Sequence, residues 1–190
     1  MIGPVNVALG AILALGFLAV LWYVSAYNGL VRQRQEVKSA WSQIDVQLKR
    51  RHDLIPNLVE AVKGYMGHER STLENVIKAR AQAVNATGVQ DKAQAENMLT
   101  QTLRSLFAVV ERYPDLKANQ NVLALQGELT STENRVSFAR QFYNDQAARL
   151  NAAIDSVPTN LIAGATGFNK VDFFAIDDPG QRETPKVSLS

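Results

Sequence analysis

A long apolar run near the amino terminus constrains this chain more than any other feature of its sequence. Residues 5–27, VNVALGAILALGFLAVLWYVSAY, contain no charged side chain. At about 1.5 Å per helical residue this run spans roughly 35 Å, enough to cross the hydrocarbon core of a bilayer. Trp22, Tyr23 and Tyr27 lie at its C-terminal end, where aromatic rings favour the headgroup interface. The run therefore predicts a transmembrane helix after an N-terminal stub, residues 1–4.

A cleaved signal peptide is the alternative interpretation of the same run. No Lys or Arg precedes the apolar residues, and the run is longer than the apolar region of a usual signal peptide, so we favour an uncleaved anchor. Arg32, Arg34 and Lys38 follow the run, and the positive-inside rule then favours a cytoplasmic position for the rest of the chain. Large domains also translocate despite such charges, which leaves the opposite orientation open.

Beyond the apolar run, the apolar residues recur with a helical period. Counting in heptads from Tyr27 gives a stripe that two arginines interrupt. Its members are Tyr27, Leu30, Arg34, Val37, Trp41, Ile44, Leu48, Arg51, Ile55, Leu58, Val62 and Tyr65. Pro56 falls beside the stripe, and the phase continues through it, which predicts one helix that bends at Pro56. The alternative is a new helix capped by Asp53, with Pro56 in its first turn.

Two glycines mark the end of this first helical stretch. Gly64 and Gly67 weaken the helix and predict a second bend. The helical pattern then resumes and ends at Gly88, a residue type that is common just after helices. Its expected core positions are Leu73, Val76, Ile77, Ala81 and Val84.

The rest of the chain predicts two more helices and a non-helical end. One helix is stopped by Pro114, and its apolar positions are Leu99, Leu103, Leu106, Phe107 and Val110. A third, long helix begins at Asn119 and ends before Pro158. Residues 159–178 have no helical period and contain Phe168, Phe173 and Phe174, so we expect an extended segment that packs on the helices.

These elements define the predicted fold class and domain organisation. The fold is all-α, with a transmembrane helix followed by an elongated antiparallel bundle of long helices and an extended aromatic C-terminal segment. The bundle domain covers residues 28–176. Residues 177–190 are polar, contain two prolines and are expected to form a disordered tail.

Sequence motifs that would assign an activity are missing. The chain has no cysteine, which excludes disulfides and thiolate sites, and its net charge of +2 gives no support for nucleic-acid binding. His52 and His68 have no metal-ligand spacing, and both are expected on exposed helix surfaces. No nucleotide-binding or hydrolase motif occurs. We therefore expect no catalysis, no cofactor and no metal, and we infer no small-molecule substrate.

One charged residue of the apolar stripe needs a partner. Arg51 faces the predicted core, and a buried charge without a partner is costly. If the first and third helices are antiparallel, Glu133 is a candidate partner, and an Arg51–Glu133 pair would fix their register. The alternative is that Arg51 extends to solvent and Glu133 belongs to an exposed face.

Several blocks of the sequence together resemble the LemA family of bacterial membrane proteins. They are YNGLV at 27–31, AWSQIDVQLKRRHDLIPNLVEAVKGY at 40–65, HERSTLENVIKAR at 68–80, YPDLKAN at 113–119, LQGELTSTENRVSFARQFYN at 125–144 and GFNKVDFF at 167–174. The resemblance implies long antiparallel helices behind a single attachment to the bacterial cytoplasmic (inner) membrane. It also implies a part in membrane organisation, and it brings no catalytic residue.

The same resemblance bears on orientation. Some relatives carry a lipoprotein cysteine where this chain has Ser25 and Ala26, which implies a domain outside the cytoplasm. This conflicts with the positive-inside rule, and the cytoplasmic side is only slightly favoured here.

The expected function is a membrane-anchored helical scaffold that contacts the lipid bilayer and binds protein partners or copies of itself. Three alternatives stay open at this point. They are an adaptor or regulator of a membrane protease complex, a helical signal-transducing module, and a hydrolase without a recognisable motif.

Overall fold

The computed structural model describes residues 4–67 and 69–174, and these residues form six α-helices without a strand. The helices are α1 (Pro4–Lys63), α2 (Arg70–Asn85), α3 (Val89–Val110), α4 (Pro114–Ala118), α5 (Gln120–Asp155) and α6 (Thr159–Thr166). The predicted all-α fold of long helices is confirmed. The expected tail, residues 177–190, lies outside the described residues, as does His68.

Helix α1 is a single helix of 60 residues. Its first part is apolar and exposed, and α1 is the one helix among the described residues that is long and apolar enough to cross a membrane. Pro56 lies inside the helix and is exposed, so the helix continues through it as the phase of the stripe predicted. The alternative in which Asp53 begins a new helix is wrong. Gly64 and Gly67 lie in the connection between α1 and α2.

Most of the predicted stripe on α1 is buried. The buried members are Leu30, Val37, Ile44, Leu48, Arg51, Ile55, Leu58 and Val62. Tyr27, Arg34 and Tyr65 are exposed instead, whereas Ala40 and Val59 are buried in addition. A straight helix has 3.6 residues per turn, so a count in strict heptads drifts away from the buried face.

The chain divides into two compact units, and both α1 and α5 contribute to each of them. Unit 1 comprises Met1–Ser42 and Phe142–Val171, and unit 2 comprises Gln43–Gln141 and Asp172–Ser190.

In unit 1, α1 and α5 meet through aromatic rings. The ring centroids of Trp41 and Tyr143 lie 5.4 Å apart in an edge-to-face contact.

Helix α6 follows α5, which corrects the expected extended segment, because residues 159–166 are helical. An eight-residue helix makes only two turns, too few for a period to be recognised in the sequence. Gly167, in the left-handed conformation at φ 72°, ends α6, and no helix follows in residues 168–174.

In unit 2, the apolar core is built from α1, α2, α3, α4 and α5. The predicted core positions Ile77, Ala81 and Val84 of α2 are exposed, and Ala79 and Ala83 are buried in their place. Helix α2 packs on α3, and its buried face consists of Leu73, Val76, Ala79 and Ala83, which recur at helical spacing. Helix α5 begins as predicted, since the Asn119 side chain accepts hydrogen bonds from the N–H groups of residues 121 and 122.

Candidate functional site

Five polar residues of unit 2 form a buried charge cluster, which consists of Arg51, His52, Glu96, Thr100 and Glu133. Arg51 is 2% exposed and Glu96 is 0% exposed, although both are charged side chains. Burial of such groups is unfavourable unless they are paired and hydrogen-bonded. Each charged member of the cluster therefore depends on a partner within it.

Three helices supply the cluster. Arg51 and His52 are adjacent on the buried side of α1, Glu96 and Thr100 lie one turn apart on α3, and Glu133 comes from α5. Glu96 stands in helical spacing with the apolar core residues of α3, which are Leu99, Leu103 and Leu106. Each charge thus sits on a face that the neighbouring apolar residues turn toward the core.

Arg51 is the centre of the cluster. Its Nη1 donates to Glu96 Oε2 at 3.2 Å, and its Nη2 donates to Thr100 Oγ1 at 2.8 Å. The same Nη2 lies 3.0 Å from Glu133 Oε2, a distance at which the two charges attract each other. The structure thus brings the predicted pair of Arg51 and Glu133 together. The proposed role of this pair in fixing register stays a prediction.

Sequence reasoning missed the more deeply buried partner of Arg51, which is Glu96. Glu133 keeps about a third of its side chain exposed, whereas Glu96 is enclosed. The spacing of Glu96 with Leu99, Leu103 and Leu106 was a signal that could have found it. A charged residue at a core position on α3 predicts a charged partner on a neighbouring helix, as Arg51 did on α1.

His52 corrects a further expectation. It was expected on an exposed surface, but it is 8% exposed, and its Nε2 lies 2.7 Å from Glu96 Oε1. An ionised carboxylate can only accept hydrogen bonds, so with Glu96 ionised the Nε2–H group of His52 is the donor to Oε1. The two oxygens of Glu96 are therefore divided between Arg51 and His52. His52 is buried because it lies in one helical row with Leu48, Ile55 and Val59.

Pro56 leaves the backbone carbonyl of His52, one turn earlier, without its usual hydrogen-bond donor. The carbonyl of His52 would normally accept from the N–H of residue 56, and proline has no N–H. Arg80 of α2 replaces that donor, because its Nε donates to the His52 carbonyl oxygen at 2.7 Å. The proline thus leaves an acceptor on α1 that ties α1 to α2 beside the buried charge cluster.

A second buried arginine, Arg140 of α5, lies near the cluster. Arg140 Nη1 donates to Asn97 Oδ1 at 3.2 Å, and its guanidinium carbon lies 4.5 Å from the ring centroid of Phe174. Burial lowers the pKa of the Arg140 guanidinium; the carboxylates of Glu133 and Glu96 oppose this shift, and the positive charge of Arg51 adds to it. The contact holds Phe174, which is fully buried, in unit 2.

Two clefts open beside the buried charge cluster. One has a volume of about 190 Å³ and is lined by Arg51, Thr100 and Glu133 together with both apolar and polar side chains of α3 and α5. The other has a volume of about 300 Å³ and is lined by His52, Arg80 and several charged surface residues. The carboxylate of Glu96 is fully buried, and both of its oxygens are engaged by protein groups. The geometry of the cluster accounts for electrostatic attachment of α1 to α3 and α5.

No group of three or more His, Cys, Asp or Glu side chains that could hold a metal ion occurs in residues 4–67 and 69–174. The predicted aromatic residues of the membrane interface, Trp22, Tyr23 and Tyr27, lie exposed on α1. The basic residues that follow them, Arg32, Arg34 and Lys38, are exposed as well.

Comparison with known proteins places the chain among bacterial relatives. Residues 40–189 match the profile of the LemA family, and this range contains every residue of the buried charge cluster. Magnetosome protein MamQ of Magnetospirillum gryphiswaldense is 26% identical over 216 residues, covering 98% of this chain and 77% of the relative. Magnetosome protein MamQ 2 of Paramagnetospirillum magneticum is 24% identical with the same coverage. Protein LemA of Metamycoplasma hominis is 27% identical over 157 residues, covering 80% of this chain and 70% of the relative.

Proposed function

The chain belongs to the LemA family, and from this premise we propose that it is a membrane-anchored helical scaffold that acts in membrane or envelope organisation. The observation that carries the proposal is the continuity of α1. One helix contains both the exposed apolar run and, from Leu30 onward, a row of residues buried among the other helices. A bilayer covers the first part, and the helical bundle is built directly on the second.

The buried charge cluster supports a scaffold because its ion pairs and hydrogen bonds join α1 to α3 and α5. Glu96 is enclosed by two cationic or donor side chains, and such pairs can specify register and partner choice between helices. The exposed helix faces then present a rigid surface to protein partners or to a second copy of the chain. Two relatives bear the name magnetosome protein, which supports a role in organising a membrane.

We place the anchor as a single pass in the bacterial cytoplasmic membrane, with the helical domain on the cytoplasmic side. The exposed basic residues Arg32, Arg34 and Lys38 follow the apolar run and favour this orientation. Reporter fusions at Ser190 test it. We expect fluorescence from a fluorescent-protein fusion and no activity from an alkaline-phosphatase fusion, and the reverse result would overturn the orientation.

Proximity labelling in the native membrane tests the scaffold itself. The labelling enzyme is fused to Ser190 of the full chain, and a control carries it on the first 42 residues alone. The scaffold predicts a reproducible set of membrane proteins, or copies of the chain, that the control does not label. Identical neighbours from both fusions would contradict a scaffold. A membrane protease that is recovered in this set and also co-purifies in mild detergent would favour an adaptor of that protease.

A signal-transducing module is the second candidate, and the unbroken passage of α1 through Pro56 favours it. A continuous helix can transmit rotation or translation from the membrane to the bundle. Insertion of one residue at Lys38 rotates the two parts of α1 by about 100° relative to each other. A signalling module would change its output, whereas a passive scaffold would keep its partners bound.

A further inference from the structure

We propose that α6 and the turn before it form a second membrane-contacting element, in which Val157 and Leu161 enter the headgroup region of the bilayer beside the end of the membrane span. The proposal rests on the membrane anchor of the proposed function and adds a lipid-binding surface to it. All residues that carry it belong to unit 1.

The end of α5 lies level with the end of the apolar run. Trp41 of α1 contacts Tyr143 of α5, and Arg51, ten residues further along α1, lies beside Glu133, ten residues earlier on α5. The two helices are therefore antiparallel. Twelve residues lead from Tyr143 to Asp155, the last residue of α5, and twelve residues back from Trp41 lead to Gly29. Both paths are roughly 18 Å long at 1.5 Å per residue. The turn after Asp155 is therefore at the level of Tyr27, where the apolar run ends.

A second set of contacts fixes the other end of α6 at the same level. The ring of Phe168 lies 5.9 Å from the ring of Tyr27, and the guanidinium carbon of Arg34 lies 4.8 Å from the Phe168 centroid. The Phe168 N–H donates to the carbonyl oxygen of Ala163 at 3.0 Å, which joins this residue to the end of α6. Both ends of α6 are thus held beside the boundary between the apolar run and the basic residues that follow it.

The chemistry of the segment fits a bilayer interface. Residues 156–169 contain no charged side chain, although Asp155 and Lys170 on either side of them form an ion pair at 2.8 Å. Ile162 and Ala163 are buried, whereas Val157 is 81% exposed and Leu161 is 72% exposed. A single exposed apolar side chain is ordinary on a protein surface. Two of them in an uncharged segment at the end of a membrane span are in position to enter lipid.

The nearby basic residues support the same partner. Arg32 and Arg34 are exposed one to two turns beyond Tyr27. Cations at this depth are attracted to anionic headgroups. The element therefore combines apolar side chains directed at the acyl boundary with cations at headgroup level.

The absence of cysteine from the chain makes the test direct. Single-cysteine variants of the full-length protein carry an environment-sensitive fluorophore in vesicles of phosphatidylcholine and phosphatidylglycerol, with or without bromine on the acyl chains as a quencher. Val157→Cys and Leu161→Cys probe the element. Tyr23→Cys reports the anchor. Ser42→Cys is the control, because Ser42 is exposed on α1 roughly 22 Å beyond Tyr27.

We expect brominated lipid to reduce emission at 157 and 161 by roughly half, as for side chains about 5–10 Å deep, and to leave the probe at 42 unchanged. If the probe at 23 is quenched while those at 157 and 161 behave like the control, the inference is overturned and the anchor stands. An unquenched probe at 23 overturns the anchor and the inference together. Emission at 157 and 161 that depends on protein dilution and not on brominated lipid would assign the surface to a second copy of the chain.

Discussion

The two units hold helix α1 by different chemistry. In unit 1, its contacts centre on aromatic rings, with Tyr27 on Phe168, Trp41 on Tyr143 and the Arg34 guanidinium over the same Phe168 ring. The neutral side chain of Asn151 fixes the following segment, since it both donates to and accepts from the backbone of Val171 at 2.9 Å. In unit 2, the same helix is held by Arg51 and His52, which share one buried carboxylate.

A long helix needs both attachment to its neighbours and a defined position along them. Apolar stripes repeat, so a helix displaced by one heptad still buries leucines and isoleucines. Arg51 has no equivalent partner at a displaced position, because Glu96 is a single charge within an apolar face of α3. We therefore expect the apolar and aromatic contacts to supply most of the free energy of folding, and the buried charge cluster to select the register.

Removal of Glu96 should have the largest effect. Glu96→Ala leaves Arg51 and His52 buried without their carboxylate, and the loss of one partner of a buried pair costs about 3–5 kcal/mol. The measurement is the free energy of unfolding of the full chain in mild detergent, from urea titration followed by circular dichroism. The control is Glu128→Ala, because Glu128 pairs with Arg50 at 2.6 Å with both side chains half exposed. That variant should change stability by less than about 1 kcal/mol. Equal losses in the two variants would show that the cluster adds nothing beyond a surface ion pair.

The aromatic contact of unit 1 gives the next largest effect. Phe168→Ala removes a buried ring from its contact with Tyr27 and should destabilise the chain by roughly 3 kcal/mol. Hydrogen exchange should locate the loss in α6 and the last turns of α5. Phe173→Ala is the control, since Phe173 is about half exposed. Exchange that accelerates equally in α2 and α3 would contradict a separate role for unit 1.

Helix α1 was predictable because its signal is long. The stripe from Leu30 to Val62 repeats over many turns, and the phase through Pro56 distinguished one helix from two. Helix α6 was not predictable, because two turns between Pro158 and Gly167 hold too few apolar positions to show a period. The burial of Ala79 and Ala83 on α2 was also missed, because the buried face of this helix is set by its packing on other helices such as α3, which the sequence alone does not give.

Two of the five residues of the buried charge cluster, Arg51 and Glu133, were predicted from the sequence. A charge on the stripe identified Arg51, and antiparallel helices pointed to Glu133. The main partner, Glu96, required knowledge that α3 packs beside α1 at that level, which is a tertiary fact. His52 was missed because strict heptads leave it off the stripe, whereas the period of 3.6 residues places it in a row with Leu48 and Ile55.

The bond from Arg80 to the His52 carbonyl gives a smaller and more specific prediction. Arg80→Met should cost roughly 2 kcal/mol, because a charged donor is removed from an acceptor that Pro56 leaves without its helical partner. In a Pro56→Ala background the N–H of residue 56 supplies that partner, and the same substitution should cost less than half as much. The double-mutant cycle is measured by urea unfolding. The control Lys78→Met alters an exposed residue of α2 and should be nearly neutral in both backgrounds. If Arg80→Met lowers the free energy of unfolding equally in both backgrounds, the bond from Arg80 does not compensate for the N–H group that Pro56 lacks.

The smallest predicted effect concerns the turn that directs Phe168 toward Tyr27. Gly167 has φ 72°, a conformation that costs other residues about 1 kcal/mol or more, and a Cβ atom there meets no atom within 4 Å. Gly167→Ala should therefore destabilise unit 1 by roughly 1 kcal/mol through backbone strain alone. Gly164→Ala is a matched control inside α6, where a Cβ also has open space, and it should stabilise the helix by about 0.5–1 kcal/mol. The measurement is the thermal unfolding temperature of each variant. A decrease for Gly167→Ala together with an increase for Gly164→Ala would assign the effect to the left-handed turn. Equal signs would show that the position of Phe168 does not depend on that turn, and the aromatic attachment of unit 1 would then rest on the ring contacts alone.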